Sequence, residues 1–239
     1  MESSLKSVSR WYFDELEQIG LDYTDIKEVQ AYDQRMQKIR DISKEIQEIM
    51  AEINVKEEHV ILEIGTGTGE LAVEVSKYCK ELIALDVSGT MLEFARHKAK
   101  AQNRNNITLV QGGFLTYEHQ KQPFDAVISQ LALHHLPDFW KMIALKRVYE
   151  MLKDGGKFFL RDVVFPSNVE NYNKFFNELL IHIRENAGQE IAGETEIHIK
   201  EEFSTLDWIA EEMLKRAGFK IDKAEYYNNF LATYVCTKQ

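Results

Sequence analysis

The chain has 239 residues, 44% of them hydrophobic and 11% aromatic, with a formal net charge of −10 at neutral pH. That composition suits one large α/β domain with a cap and excludes intrinsic disorder. The negative balance, with no basic stripe, disfavours a protein that wraps nucleic acid, and no run reaches the roughly twenty apolar residues of a membrane span.

The first fifty-odd residues are predicted to form a helical cap, residues 1–56. Ile39, Ile42, Ile46, Ile49 and Ile53 step by three and four from Met36, one stripe of a 3.6-residue period. The stripe is too short for a stable coiled-coil seam, so packing against the neighbouring domain is expected. Ahead of it stand Trp11-Tyr12-Phe13, Tyr23 and Tyr32, aromatics suited to packing or to covering a ligand.

Residues 57–239 have another texture. Apolar runs at Val60–Ile64, Leu82–Val87, Ile107–Val110, Phe124–Ser129 and Lys157–Phe165 alternate with helical spacings through Leu71, Val75 and Tyr78, from Thr90 to Gln102 and from Asp138 to Leu152. Nearly continuous apolar strands separated by helices predict a parallel sheet covered on both faces. Lys153-Asp154-Gly155-Gly156 is predicted as a turn, and residues 167–203 as an insertion carrying Tyr172, Phe175 and Phe176. A helix capped by Ser204 or Thr205 and stopped at Gly218 then leads into two strands, Phe219–Tyr226 and Phe230–Thr237. Their short connection around Asn228-Asn229 requires an antiparallel pair. The expected fold is a doubly wound, Rossmann-like α/β domain with a seven-stranded mixed sheet, an antiparallel last strand, the N-terminal cap and the insertion after strand five.

Cys79 and Cys236 fit no metal or redox spacing and read as reduced core thiols. With no apolar leader after a basic start, a cytoplasmic location is expected.

The most informative stretch is Glu63-Ile64-Gly65-Thr66-Gly67-Thr68-Gly69-Glu70, between the first strand and its helix. The spacing is G-x-G-x-G, whereas the dinucleotide fingerprint G-x-G-x-x-G would need glycine where Glu70 stands. A carboxylate at that helix start opposes a pyrophosphate. Glu63, at the carboxyl end of the strand, suits a cationic ligand, or else bonds loop amides. Asp86 ends the second strand beside the topological switch, where a carboxylate accepts hydrogen bonds from ribose hydroxyls.

These segments, with Leu133-His134-His135-Leu136-Pro137-Asp138 and Leu152–Gly156, resemble the successive motifs of class I S-adenosylmethionine-dependent methyltransferases over residues 60–165, especially the group acting on small molecules. The resemblance implies S-adenosyl-L-methionine as cofactor and S-adenosyl-L-homocysteine as product. Gly65, Thr66 and Gly67, with Glu63, would hold the methionine part. Asp86 would take the ribose, Val87 and Met91 would flank the adenine, and Gln130 and Tyr32 would complete the site. Many relatives place an acid after the third strand; Gly113 stands there instead, leaving adenine to backbone groups and Phe114.

The enzyme class needs no universal catalytic residue, since it mainly aligns an activated donor and excludes water. His134 and His135 follow the fourth strand, where the methyl group would point, and are the candidates to orient or deprotonate an acceptor. His182 and His198, with Glu194 or Glu196, fit no ligand spacing, so no metal is expected. The leading expectation is a monomeric or homodimeric enzyme with a small-molecule acceptor, lidded by the cap and the insertion. The alternatives are a methyltransferase of protein or RNA and an NAD-dependent oxidoreductase.

Overall fold

In the computed structural model, residues 10–17, 19–20, 26–228 and 230–239 are described. Tyr23 and Asn229 lie outside them. The sheet order is β3-β2-β1-β4-β5-β8-β7, from β1 (Val60–Ile64), β2 (Glu81–Asp86), β3 (Ile107–Gln111), β4 (Phe124–Gln130), β5 (Leu152–Phe165), β7 (Phe219–Tyr227) and β8 (Leu231–Lys238). β1 to β5 pair in parallel, and β8 runs antiparallel to both β5 and β7. A two-residue β6 (Thr205–Leu206) adds to the far end of β5. The central strands are apolar throughout because both faces are covered: Leu62, Ile64 and Val127 lie in one core layer, Ile61, Ala126 and Ile128 in the other.

The predicted strands and the mixed sheet are present, and the departures have local causes. The isoleucine stripe is divided between α1 (Ile26–Ile39) and α2 (Ile42–Glu52). Asp41 caps the second helix, accepting from the Lys44 amide at 3.1 Å. Ile46, Ile49 and Ile53 are buried against Ile61, Leu71 and Val75, so the stripe packs on the adjacent α/β region, as expected. α3 (Glu70–Val75) ends before Tyr78, which is half exposed. α4 (Gly89–Ala101) and α5 (Asp138–Met151) lie close to their expected ranges. β5 begins earlier than predicted, pairing Leu152 with Phe124 before Lys157 meets Ala126, and the predicted turn 153–156 bulges out between those pairs.

The insertion consists of α6 (Tyr172–Ala187) and α7 (Gln189–Glu201). Neither Ser204 nor Thr205 caps α8 (Asp207–Ala217); Leu206 holds that position. The hydroxyls are engaged elsewhere, Ser204 Oγ with His198 Nε2 at 2.7 Å and Thr205 Oγ1 with Asp138 Oδ2 at 3.1 Å. Gly218, at φ 109°, ends α8 as expected. Cys79 and Cys236 are free and buried. Among the described residues no helix is long and apolar enough to cross a membrane.

Candidate functional site

A cavity of about 880 Å³, its open mouth included, lies beyond the carboxyl ends of β1, β2 and β4. Ligands of open α/β sheets bind in that position. The glycine loop forms its floor. Gly65 and Thr66 donate their amides to Leu85 O at 2.9 and 2.8 Å, which ties the loop to the end of β2. Gly65 has φ 80°, and a Cβ there would lie 2.5 Å from the Ala132 methyl. Only glycine fits that position without displacing the chain after β4.

Asp86 joins floor and wall. Its Oδ2 accepts the Gly67 amide at 2.7 Å and its Oδ1 the Ser88 amide at 2.9 Å. Burial pushes its carboxyl up to about 6, against the pull of those two hydrogen bonds. Each oxygen retains accepting capacity toward the cavity. Val87, Met91, Phe114 and Leu136 give it apolar walls.

Gln130, at the end of β4, also lines the cavity. Its Oε1 accepts Arg40 Nη2 at 2.9 Å, while the same guanidinium grips Glu45. The Gln130 Nε2 is buried and has no hydrogen-bond partner among the described residues. An unanswered buried donor costs roughly 1–3 kcal/mol, so a ligand acceptor there has a ready energetic role.

The cap covers the cavity. Phe13, Glu15, Glu17, Ile19 and Tyr32 line it. α1 is pinned over the loop by Lys98, which reaches Asp33 at 2.8 Å and Glu70 at 2.6 Å. Glu70 thus spends its charge on a lysine. Tyr32, Gly65, Gly67, Asp86, Val87, Met91, Gly113, Phe114, Gln130 and His135 all border the space.

Glu63, Thr66 and His134 do not border it. Glu63 lies buried behind the loop, accepting the Thr66 hydroxyl at 3.0 Å. Burial, with the nearby Asp86 charge adding to it, pushes its carboxyl up to about 8. His134 is buried between two carboxylates: Nδ1 donates to Asp162, and Nε2 meets Glu202 at 3.2 Å. Burial alone would lower its pKa, but the two acids outweigh it and hold the ring at about 9. His135 faces the cavity, where burial and the neighbouring His134 charge pull it down to about 4.

Residues 61–156 match the family described as a methyltransferase domain. A methyltransferase of Anoxybacillus flavithermus is 30% identical over 166 residues, 67% of this chain and 76% of that protein. The chain belongs to the class I S-adenosylmethionine-dependent methyltransferases. A demethylmenaquinone methyltransferase of Lactococcus lactis is 26% identical over 74% of this methyltransferase and 73% of its own length. The phosphoethanolamine N-methyltransferase 2 of Haemonchus contortus, solved with S-adenosyl-L-methionine, has the same fold. Its TM-score is 0.68 at 16% identity, over 90% of this chain and 57% of that one.

Two features of this methyltransferase were not legible in its sequence. Glu15, from the cap, lies over Gly113; a Cβ there would come within 2.7 Å of Glu15 Oε2. Its Oε1 accepts the Leu115 and Thr116 amides at 2.9 and 2.6 Å and the Thr116 hydroxyl at 2.6 Å. A carboxylate therefore stands over Gly113, supplied by a segment 98 positions away. The only sequence signal was an acid after Trp11-Tyr12-Phe13. The insertion was expected to form part of the lid, yet no described residue of 167–203 borders the cavity. Tyr172 and Phe175 pack against Phe176, which meets Phe165 at 5.1 Å. Those rings are spent on one another.

Proposed function

We propose that this chain transfers a methyl group from S-adenosyl-L-methionine to a small-molecule acceptor by in-line displacement, as a cytoplasmic enzyme. The observation that carries the reading is the Gln130 Nε2, which has no hydrogen-bond partner among the described residues, beside the glycine loop and inside a cavity that also presents Asp86. When bound, the cofactor supplies a methyl group already activated on a sulfonium.

The chain's residues divide the binding. Gly65 and Gly67 shape the floor for the methionine part, with Thr66 bonded to Glu63 behind them, and Gln130 Nε2 donates to its carboxylate while Arg40 holds the amide oriented. Asp86 accepts from the ribose hydroxyls. Val87, Met91 and Phe114 enclose the adenine, and Glu15 Oε2 takes the accepting role that Gly113 leaves open. Tyr32 covers the loop from α1. Glu63 acts from behind the loop, holding its shape through the Thr66 hydroxyl.

His135 is the candidate on the cavity wall to receive an acceptor's hydrogen bond. His134, enclosed by Asp162 and Glu202, positions the turn that carries it. Enclosure by the cap favours a small acceptor over a protein or RNA strand, and the named activity of the Lactococcus relative is consistent with that.

Calorimetric titration with S-adenosyl-L-homocysteine, with NAD in parallel, tests the cofactor. Saturable binding of the former alone is expected, about tenfold weaker in Gln130→Ala. Binding of NAD alone would overturn the proposal. Incubation with methyl-labelled cofactor and separated low-mass, protein and RNA fractions tests the acceptor, with label expected in the low-mass fraction. Label in protein or RNA would overturn the acceptor class.

A further inference from the structure

Behind the cavity wall, and reaching it at His135, lies a histidine–carboxylate cluster larger than the proposed methyl transfer uses. His134 and His135 form the turn Leu133–His135 after β4, and His198 and Glu202 stand one helical turn apart at the end of α7. One donor atom each from His134, His135 and Glu202 lies within 4.8 Å of the others. His198 Nδ1 pairs with the same Glu202 oxygen, and Asp162 holds His134 from its other side.

We propose that His134, His135 and Glu202 form a binding site for one divalent transition-metal ion of the zinc type. Three observations support it.

The donor set is mixed imidazole and carboxylate, which favours zinc or a neighbouring first-row metal over magnesium or calcium. The separation of His134 Nε2 and Glu202 Oε2 is 3.2 Å. Metal bonds of about 2.0–2.1 Å at a tetrahedral angle give an edge of roughly 3.3 Å, so this edge of the site already has its working length. The other two donor separations are within 4.8 Å.

The surrounding shell fits as well. Ligating histidines commonly give their second ring N–H to a carboxylate, which fixes the other nitrogen as the ligand. Asp162 does this for His134 through Nδ1, and its second oxygen accepts the His134 amide at 3.1 Å.

The cluster also has an entry path, because His135 borders the cavity. With the ion in place, His135 holds the metal and an acceptor meets the ion's open position. The site departs from the expectation that no metal is bound, and it does not include His182, which bonds Asn186 on its own helix.

The test uses the full chain, stripped with chelator and titrated with Zn²⁺, with Co²⁺ as a spectroscopic probe. One equivalent is expected to bind at micromolar or better affinity, giving cobalt visible bands of a low-coordinate site. His135→Ala and Glu202→Gln should each weaken binding by at least tenfold, while His182→Ala leaves it unchanged. Circular dichroism checks that the variants are folded. Failure of the folded wild type to bind, or equal binding by His135→Ala and Glu202→Gln, would overturn the proposal. Neither readout depends on S-adenosyl-L-homocysteine, so the site and the cofactor reading fail separately.

Discussion

The two walls of the cavity are built differently. On the glycine-loop side, polar groups keep spare capacity: Asp86 accepts one amide per oxygen, and the Gln130 amide nitrogen is unanswered among the described residues. On the side of the Leu133–His135 turn, His134, Asp162, His198 and Glu202 are paired with one another. The first wall is arranged for a ligand that completes it. The second is closed on itself and offers the cavity chiefly His135. Substitutions should therefore separate into those that weaken cofactor binding and those that leave it unchanged.

The largest effect is expected at the loop. Gly65→Val forces a side chain onto a backbone with φ 80° and against the Ala132 methyl. Strain and overpacking together should cost about 3 kcal/mol of stability, measured by urea unfolding, and abolish detectable S-adenosyl-L-homocysteine binding. Asp86→Ala comes next, removing a charge-assisted acceptor and weakening that binding by about 1–3 kcal/mol, read by calorimetry.

A pH series sharpens the comparison. Glu63 and Asp86 both have folded-state pKa values raised above their ordinary range, to about 8 and about 6. The folded chain thus holds more protons than the unfolded one, and these groups make stability fall as pH rises from about 4 to 8. Glu63→Gln should flatten the upper part of that slope and raise the melting temperature at pH 8 relative to the parent. An unchanged slope would mean that Glu63 is ionised and otherwise compensated.

Smaller still is Glu15→Gln, which keeps the shape over Gly113 but removes the charge; S-adenosyl-L-homocysteine binding should weaken about threefold to tenfold. The smallest effect on binding belongs to the insertion. Phe176→Ala should cost about 1 kcal/mol of stability through its ring contacts and leave the affinity unchanged within twofold.

What the sequence revealed follows the same division. Val60–Ile64 and Leu82–Asp86 were legible because strands buried on both faces read as unbroken apolar runs, and Gly65 and Asp86 because their roles are set by local backbone geometry. Glu15 was not legible, since its partners at 113–116 come together only through tertiary packing. The histidine–carboxylate cluster was half legible: His134-His135 stood out, but Glu202 and Asp162 arrive from α7 and β5 with no local signal. Asp41 could have marked the break between α1 and α2, being an N-cap residue before Ile42, yet the continuous isoleucine period masked it. The insertion aromatics misled because helical spacing does not say which partner a ring will choose.

The central claim is that the cofactor is held between the glycine loop and the N-terminal cap. Amide hydrogen exchange of the full chain, free and saturated with S-adenosyl-L-homocysteine, tests it most directly. Slowed exchange is predicted both at residues 65–69 and 86–91 and in the cap around residues 12–17 and 32. Protection confined to the loop, with the cap unchanged, would contradict the account.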